Sequence, residues 1–381
     1  MRKIACVALR LAAAMFLLSP LGATAMAQQA GVLLGYSDAD GYKTMWIVFS
    51  PTEARVVATV PDLIVPRSTG FWRLATAVVC EYDPRSQRDS SRDVVWQTPI
   101  DKAPLVNQHA PCKSHSVEHL EESEHDDSPP HNAKTFVPLC GKESGQLLFV
   151  SPEYFAEEFN ASDRCDARGG HDVTRDEVRP LNAGDPISLT ALFADQAAPA
   201  YSAASDKGFA ENSKEINCAE PNPDAYDLKS WSIAHARGAW HPVAAINEFM
   251  GECALKYQMN LALPRNVTGE VSKTSLWAAM AKAVPHLSDF YLSPLGDYAL
   301  VLVAPKNFEY HLYAYAVRNG VLANRLAEIP WENVNVRPVV MAQWSSGKYV
   351  PQWTEAIQKI HDHPLPGPVV RPEKPSDLKV R

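Results

Sequence analysis

The sequence predicts a mainly β protein, and three observations carry that prediction. Short apolar runs rich in Val, Ile, Tyr, Phe and Trp recur between turn residues, a composition that suits a half-buried pleated surface. Helical periodicity is confined to three short windows. Thirty prolines in 381 residues exceed the average share of about 5% and fit many short connections.

Taken in order, 44–49, 54–60, 71–80, 146–150, 231–236, 254–263, 298–304, 310–317 and 336–344 are the expected strands. Helices are expected over 274–284, with Leu276, Met280 and Ala283 on one face, and over 353–360, with Trp353, Ile357 and Ile360 at helical spacing. A third helix is expected over 189–196. Three segments lack apolar periodicity: 108–133 is acidic and rich in His, 197–227 is rich in Ala, Ser, Asn and Pro, and 363–381 carries five prolines. The last is expected to be an extended tail. Strand-like runs continue on both sides of the first two, so 28–362 is expected to be one β-rich domain with irregular insertions at about 108–133 and 197–227.

A local pattern recurs. Phe49-Ser50-Pro51, Val150-Ser151-Pro152 and Leu292-Ser293-Pro294 each end one apolar run before a turn and another run. In the third copy Leu295-Gly296-Asp297 makes the turn, and the runs 298–304 and 310–317 follow. Pro ends the ladder, and Gly-Asp permits a tight reversal into an antiparallel partner. This copy resembles the strand–Ser-Pro-x-Gly-Asp–strand–strand pattern of β-propeller blades. The resemblance covers about 30 residues, and blade arrays repeat every 40 to 50, whereas Ser50, Ser151 and Ser293 lie 101 and 142 residues apart. It implies a β-propeller-like fold; a β-sandwich or barrel and an α+β arrangement are the alternatives.

The first 27 residues have the three parts of a secretory signal: basic Arg2 and Lys3, an apolar stretch from Leu11 to Leu18, and small residues at Ala25 and Ala27. The uninterrupted apolar stretch is short for a bilayer span, and no later run approaches that length. An exported protein, periplasmic or secreted, with no membrane span in the mature chain is therefore expected. The leader holds Arg2, Lys3 and Arg10 and no acid, so its removal takes the net charge of −8 three units lower. So acidic a chain argues against nucleic-acid binding, which needs clustered Lys and Arg. Composition (46% hydrophobic, 21% charged) is that of a globular chain. Cys6 leaves with the leader. Cys80, Cys112, Cys140, Cys165, Cys218 and Cys253 remain, an even number that favours disulfides in an oxidising compartment. Six cysteines allow fifteen pairings, and spacing does not select one.

For chemistry, the sharpest segment is 109–131, where His109, Cys112, His115, His119, His125 and His131 alternate with acids. His115 and His119 would share one helix face, and with Cys112 could hold zinc or another divalent transition metal. The plainer reading is a solvated acidic loop bracketed by Pro111, Pro129 and Pro130. His171-Asp172, after Gly169-Gly170, offers a base beside an acceptor, but neighbours in sequence point apart, which favours a surface turn. Phe71-Trp72 and the pair Trp231 and Trp240 are candidate aromatic faces for a sugar or peptide, with core packing as the plainer reading. Asn160-Ala161-Ser162 and Asn266-Val267-Thr268 match the N-glycosylation acceptor pattern. Gly141-Lys142-Glu143-Ser144-Gly145 has its serine one place late for a nucleophile elbow. The chain carries no phosphate-binding loop, dinucleotide fingerprint or H-E-x-x-H.

The expected function is an exported β-rich binding or scaffold module, leaning away from an enzyme, with a protein or carbohydrate as its partner. An extracytoplasmic hydrolase whose site is assembled from distant residues is the first alternative, since paired carboxylates can lie anywhere in the sequence. A metal-binding protein using 109–131 is the second.

Overall fold

The computed structural model describes residues 29–38, 41–83, 88–102, 105–108, 142–163, 171–181, 184–212, 228–247, 254–268, 274–304, 310–330, 339–367 and 369–372. They form a mainly β protein of several sheets, antiparallel except where Arg88–Pro99 meets Lys142–Val150 and Leu105–Gln108 meets Val369–Pro372. In the first sheet, β1 (Ala30–Asp38), β2 (Gly41–Phe49) and β3 (Ala54–Pro61) follow one another, and β18 (Val339–Ser346) pairs on the outside of β1. The second holds β4 (Leu63–Arg67), β5 (Gly70–Asp83), β6 (Arg88–Pro99), β8 (Lys142–Val150), β9 (Tyr154–Asp163) and β10 (His171–Pro180), joined in that order. The third is β11 (Trp231–Ala236), β12 (Ala239–Asn247) and β13 (Ala254–Gln258). The fourth is the meander β14 (Leu287–Leu292), β15 (Tyr298–Val303), β16 (His311–Arg318) and β17 (Val321–Ile329). Its strand order is that of the blade pattern read at Ser293-Pro294.

Alternation along the strands decides which side chains meet. In β15, Tyr298, Leu300 and Leu302 face one core while Ala299 and Val301 face another, the period-2 signature of a strand. The main core takes one face of all four sheets, including Val32, Leu34, Ile47, Phe49, Phe149, Trp231, Trp240, Leu300 and Leu312. A second core lies under α5 (Tyr349–Asp362), whose Val350, Ile357 and Ile360 meet Leu33, Val60 and Ile64. Trp46 there donates its indole N–H to Thr354 at 2.9 Å. A third puts Met280 of α4 (Trp277–Ala283) on the outer face of the fourth sheet.

The three Ser-Pro steps are one device. Each serine N–H donates to the carbonyl at or just before the start of the next strand, Glu53, Tyr154 or Tyr298, at 2.8–2.9 Å. Each serine Oγ accepts N–H groups from those same residues at 3.1 Å. The copies occupy unlike positions in their sheets, however: β2–β3 is the last pair of the first sheet, and β14–β15 opens the fourth.

Two expectations need correction. Residues 197–212 are helix α2 (Ala197–Asn212), not irregular chain. Its inward positions, Ala197, Tyr201, Ala204 and Ser205, recur at helical spacing, but small residues give little hydropathy contrast. Gly208 continues that stripe, where an added Cβ would lie 2.0 Å from the Tyr257 ring. The strand expected over 254–263 ends at Gln258, where Met259 turns its N–H to the Pro242 carbonyl at 2.9 Å. In the tail, β19 (Val369–Pro372) pairs in parallel with β7 (Leu105–Gln108). Arg73 donates to the Pro366 carbonyl at 2.5 Å, and Leu365 packs on the second core. That part of the tail is docked.

No helix among the described residues is long and apolar enough to cross a membrane.

Candidate functional site

The residues that converge most tightly lie where the third sheet meets the fourth. β11 and β12 are joined by Arg237-Gly238, both at positive φ (53° and 78°), the conformation of a two-residue type I′ hairpin. Glycine is required at 238 for a second reason: an added Cβ would lie 2.2 Å from the Phe290 ring. The hairpin sets His235 opposite Trp240, and both face the main core with Tyr291 of β14.

Asp289, at the irregularity in β14, holds this group together. Its Oδ1 accepts the backbone N–H of Gly238 at 2.9 Å and of Phe290 at 2.8 Å. Its Oδ2 lies 2.6 Å from His235 Nδ1. A carboxylate occupied by two N–H donors accepts here too, so Nδ1 of His235 donates to it. The imidazole stacks on Tyr291 (centroids 4.2 Å, 25°) and meets Trp240 edge-on at 4.7 Å. Phe149 of the second sheet closes on Trp240 at 4.7 Å. The His235 side chain is 3% exposed. Among the described residues neither its Nε2 nor the Trp240 indole N–H, both buried, has a hydrogen-bond partner, although buried polar atoms are nearly always satisfied. Two polar atoms without a partner among the described residues thus lie on rings in contact.

Beside them, His241 Nε2 donates to the Ala236 carbonyl at 3.1 Å, and its Nδ1 accepts from Gln258 at 2.9 Å. Burial holds the His241 pKa below the ordinary histidine value, with the Ala236 hydrogen bond opposing it.

A second polar group joins the second and third sheets. Asp176 of β10 stands directly opposite Glu158 of β9 on the face that also presents Val178 and Ala156 to the main core. Like charges placed so repel, and Lys256 of β13 answers both: its Nζ contacts Glu158 and lies 3.0 Å from Asp176 Oδ2. On the opposite face Glu157 and Glu177 are paired with Arg179, and Glu177 also with Arg175.

Of the residues singled out from sequence, Cys112, His115 and His119, with the rest of 109–131, lie outside the described residues. So do Cys140, Cys165, Cys218 and Cys253. Cys80 is placed on β5 opposite Ser91, its side chain outside the description. Among the described residues no three His, Cys, Asp or Glu side chains converge to hold a metal ion. His171 and Asp172 open β10 opposite Asp163 and Ser162, their side chains outside the description. Trp231 is buried and donates its indole N–H to the Ile187 carbonyl at 2.8 Å, so it offers no aromatic face. Trp240 is buried too, and joins the site through its N–H rather than its ring surface. Phe71 packs on Trp353 and Trp72 lies under Arg67. His235 and Asp289 escaped sequence reasoning. The Arg-Gly turn gives the pairing of His235 with Trp240, but nothing in the chain links either to an aspartate on another sheet.

No family model matches this sequence. No curated protein matches it either. Among solved structures, TolB from Acinetobacter baumannii aligns with a TM-score of 0.15 and 9% identity over 80% of this chain and 53% of that one. The chain thus spans about half of TolB's length, and an overlap so slight bears on neither fold nor function. The mainly β class rests on the strands themselves.

Proposed function

We propose that the chain is an exported binding module whose recessed site at His235 and Trp240 takes a small hydroxylated ligand, a carbohydrate in preference to a protein surface. The observation that carries this is the pair of buried polar atoms, His235 Nε2 and Trp240 Nε1, that have no partner among the described residues, on rings fixed by Asp289 and Tyr291. A sugar hydroxyl both donates and accepts, so it suits His235 Nε2 as well as the Trp240 indole N–H. A site this recessed favours a small molecule, and the leader supports a periplasmic or secreted location. The test is calorimetric titration with a panel of mono- and disaccharides. At least one is expected to bind the wild type, and His235→Phe, which keeps a ring on Tyr291 but removes Nε2, is expected to lose it. No binding by any member of the panel would contradict the reading.

A hydrolase stands second, favoured by the opposed carboxylates of Glu158 and Asp176. Lys256 lies on both, which suits a structural ion pair better than an acid and base facing substrate. Release of reducing sugar from a polysaccharide panel, lost in Glu158→Gln, would promote it. Metal binding through Cys112, His115 and His119 is a third proposal, and zinc retained through gel filtration would support it.

A further inference from the structure

The ion pair of Lys256 has the geometry of a reaction as well as of a contact. Its Nζ lies 3.0 Å from Asp176 Oδ2, close enough for the amine to reach the carboxyl carbon. The same nitrogen touches Glu158, which the register places directly across the strand pair from Asp176. Asp176 is 0% exposed and the Glu158 side chain 11%, while the Lys256 side chain is 31% exposed. The amine therefore reaches in from the rim to a carboxylate that water does not touch.

We propose that Lys256 and Asp176 condense into an intramolecular isopeptide bond, with Glu158 relaying the protons. The Lys256 ammonium gives a proton to Glu158, and the freed lone pair attacks Asp176 Cγ. Glu158 returns the proton to the departing oxygen, and the second proton lost by nitrogen follows the same route. The Nζ–Cγ bond forms, one Cγ–O bond breaks, and water leaves carrying both protons. No oxidant, reductant or added group is needed, and Glu158 ends as it began. The product is an amide joining β13 of the third sheet to β10 of the second. Exclusion of water from Asp176 protects that amide from hydrolysis.

The full exported chain, purified natively, then reduced and denatured, is weighed and digested. The expected mass is one water below that of the cleaved sequence, and the digest yields a branched peptide joining the segments that hold Asp176 and Lys256. Lys256 should also resist an amine-acylating reagent under denaturing conditions. Glu158→Gln and Lys256→Arg should each restore the full mass. A wild-type chain at full mass with Lys256 acylated overturns the proposal, as does a water loss mapped to another residue. A Glu158→Gln chain bridged as completely as wild type overturns the relay. The wild-type branched peptide decides the bond whether or not a variant folds, and tryptophan fluorescence reports the folding of each.

Discussion

Single side chains couple this fold to pH in opposite directions. Burial lowers the His241 pKa below 6.5, so on acidification the unfolded chain takes up the proton first. The stability contributed by neutral His241 is complete above about 6.5 and is lost as pH falls through that value toward the folded pKa. Urea midpoints at about pH 7.5 and 5.5 should show the decline, and His241→Gln, which keeps an N–H donor for Ala236, should reduce the slope. Asp62 behaves oppositely. Its carboxyl is pushed above 3.8 by burial, although Arg73, 2.5 Å away, pulls the other way. Its contribution is complete below 3.8 and is lost as pH rises through the folded pKa. Asp289 matters through hydrogen bonds. Asp289→Ala strands three buried donors, from Gly238, Phe290 and His235, at about 1–3 kcal/mol each. A loss of at least about 3 kcal/mol in chemical denaturation is expected.

At the scale of the element, the Ser-Pro turns give a graded prediction. Ser293 is buried and bonds with both Asp297 and Tyr298, whereas Ser50 is half-buried at an exposed turn. Ser293→Ala should cost about 1 kcal/mol or more, and Ser50→Ala less, since a net hydrogen bond is worth roughly 0.5–1.5 kcal/mol and most where its loss leaves buried donors unmet. The turns were legible because Ser, Pro and Gly act on their immediate neighbours. Strands such as 298–303 and 231–236 were legible for the related reason that apolar runs mark burial directly. Charged strands hid. β10 reads as alternating surface charge, His-Asp-Val-Thr-Arg-Asp-Glu-Val-Arg-Pro, because its inward Asp176 is answered by a lysine eighty residues away in the chain. Helix α2 hid because its stripe is alanine, serine and glycine. The candidate site hid for the same reason as β10. His235 with Trp240 is local, but Asp289, Tyr291 and Phe149 arrive from other strands, and only the folded chain brings them together.

At the scale of the molecule, polar ties hold one sheet to another. Asp289 fixes the third sheet to the fourth, Lys256 the third to the second, and Arg73 the tail to the second. Such ties specify which sheets are neighbours more than they add stability, because each charge gives up hydration to form them. Lys256→Met, which keeps a long stem without charge, leaves two opposed carboxylates facing each other. The tie between β13 and β10 goes with it, and a urea midpoint below that of wild type is expected. The same fixed frame holds His235 and Trp240 in register, and the binding reading depends on it. The most direct test is the mass of the exported protein under native and then denaturing conditions, for wild type and His235→Phe. A chain that begins at Gln28 and carries a small non-covalent molecule, lost on denaturation and absent from His235→Phe, is expected. A wild type that retains residues 1–27, or that carries the same molecule as the variant, would contradict it.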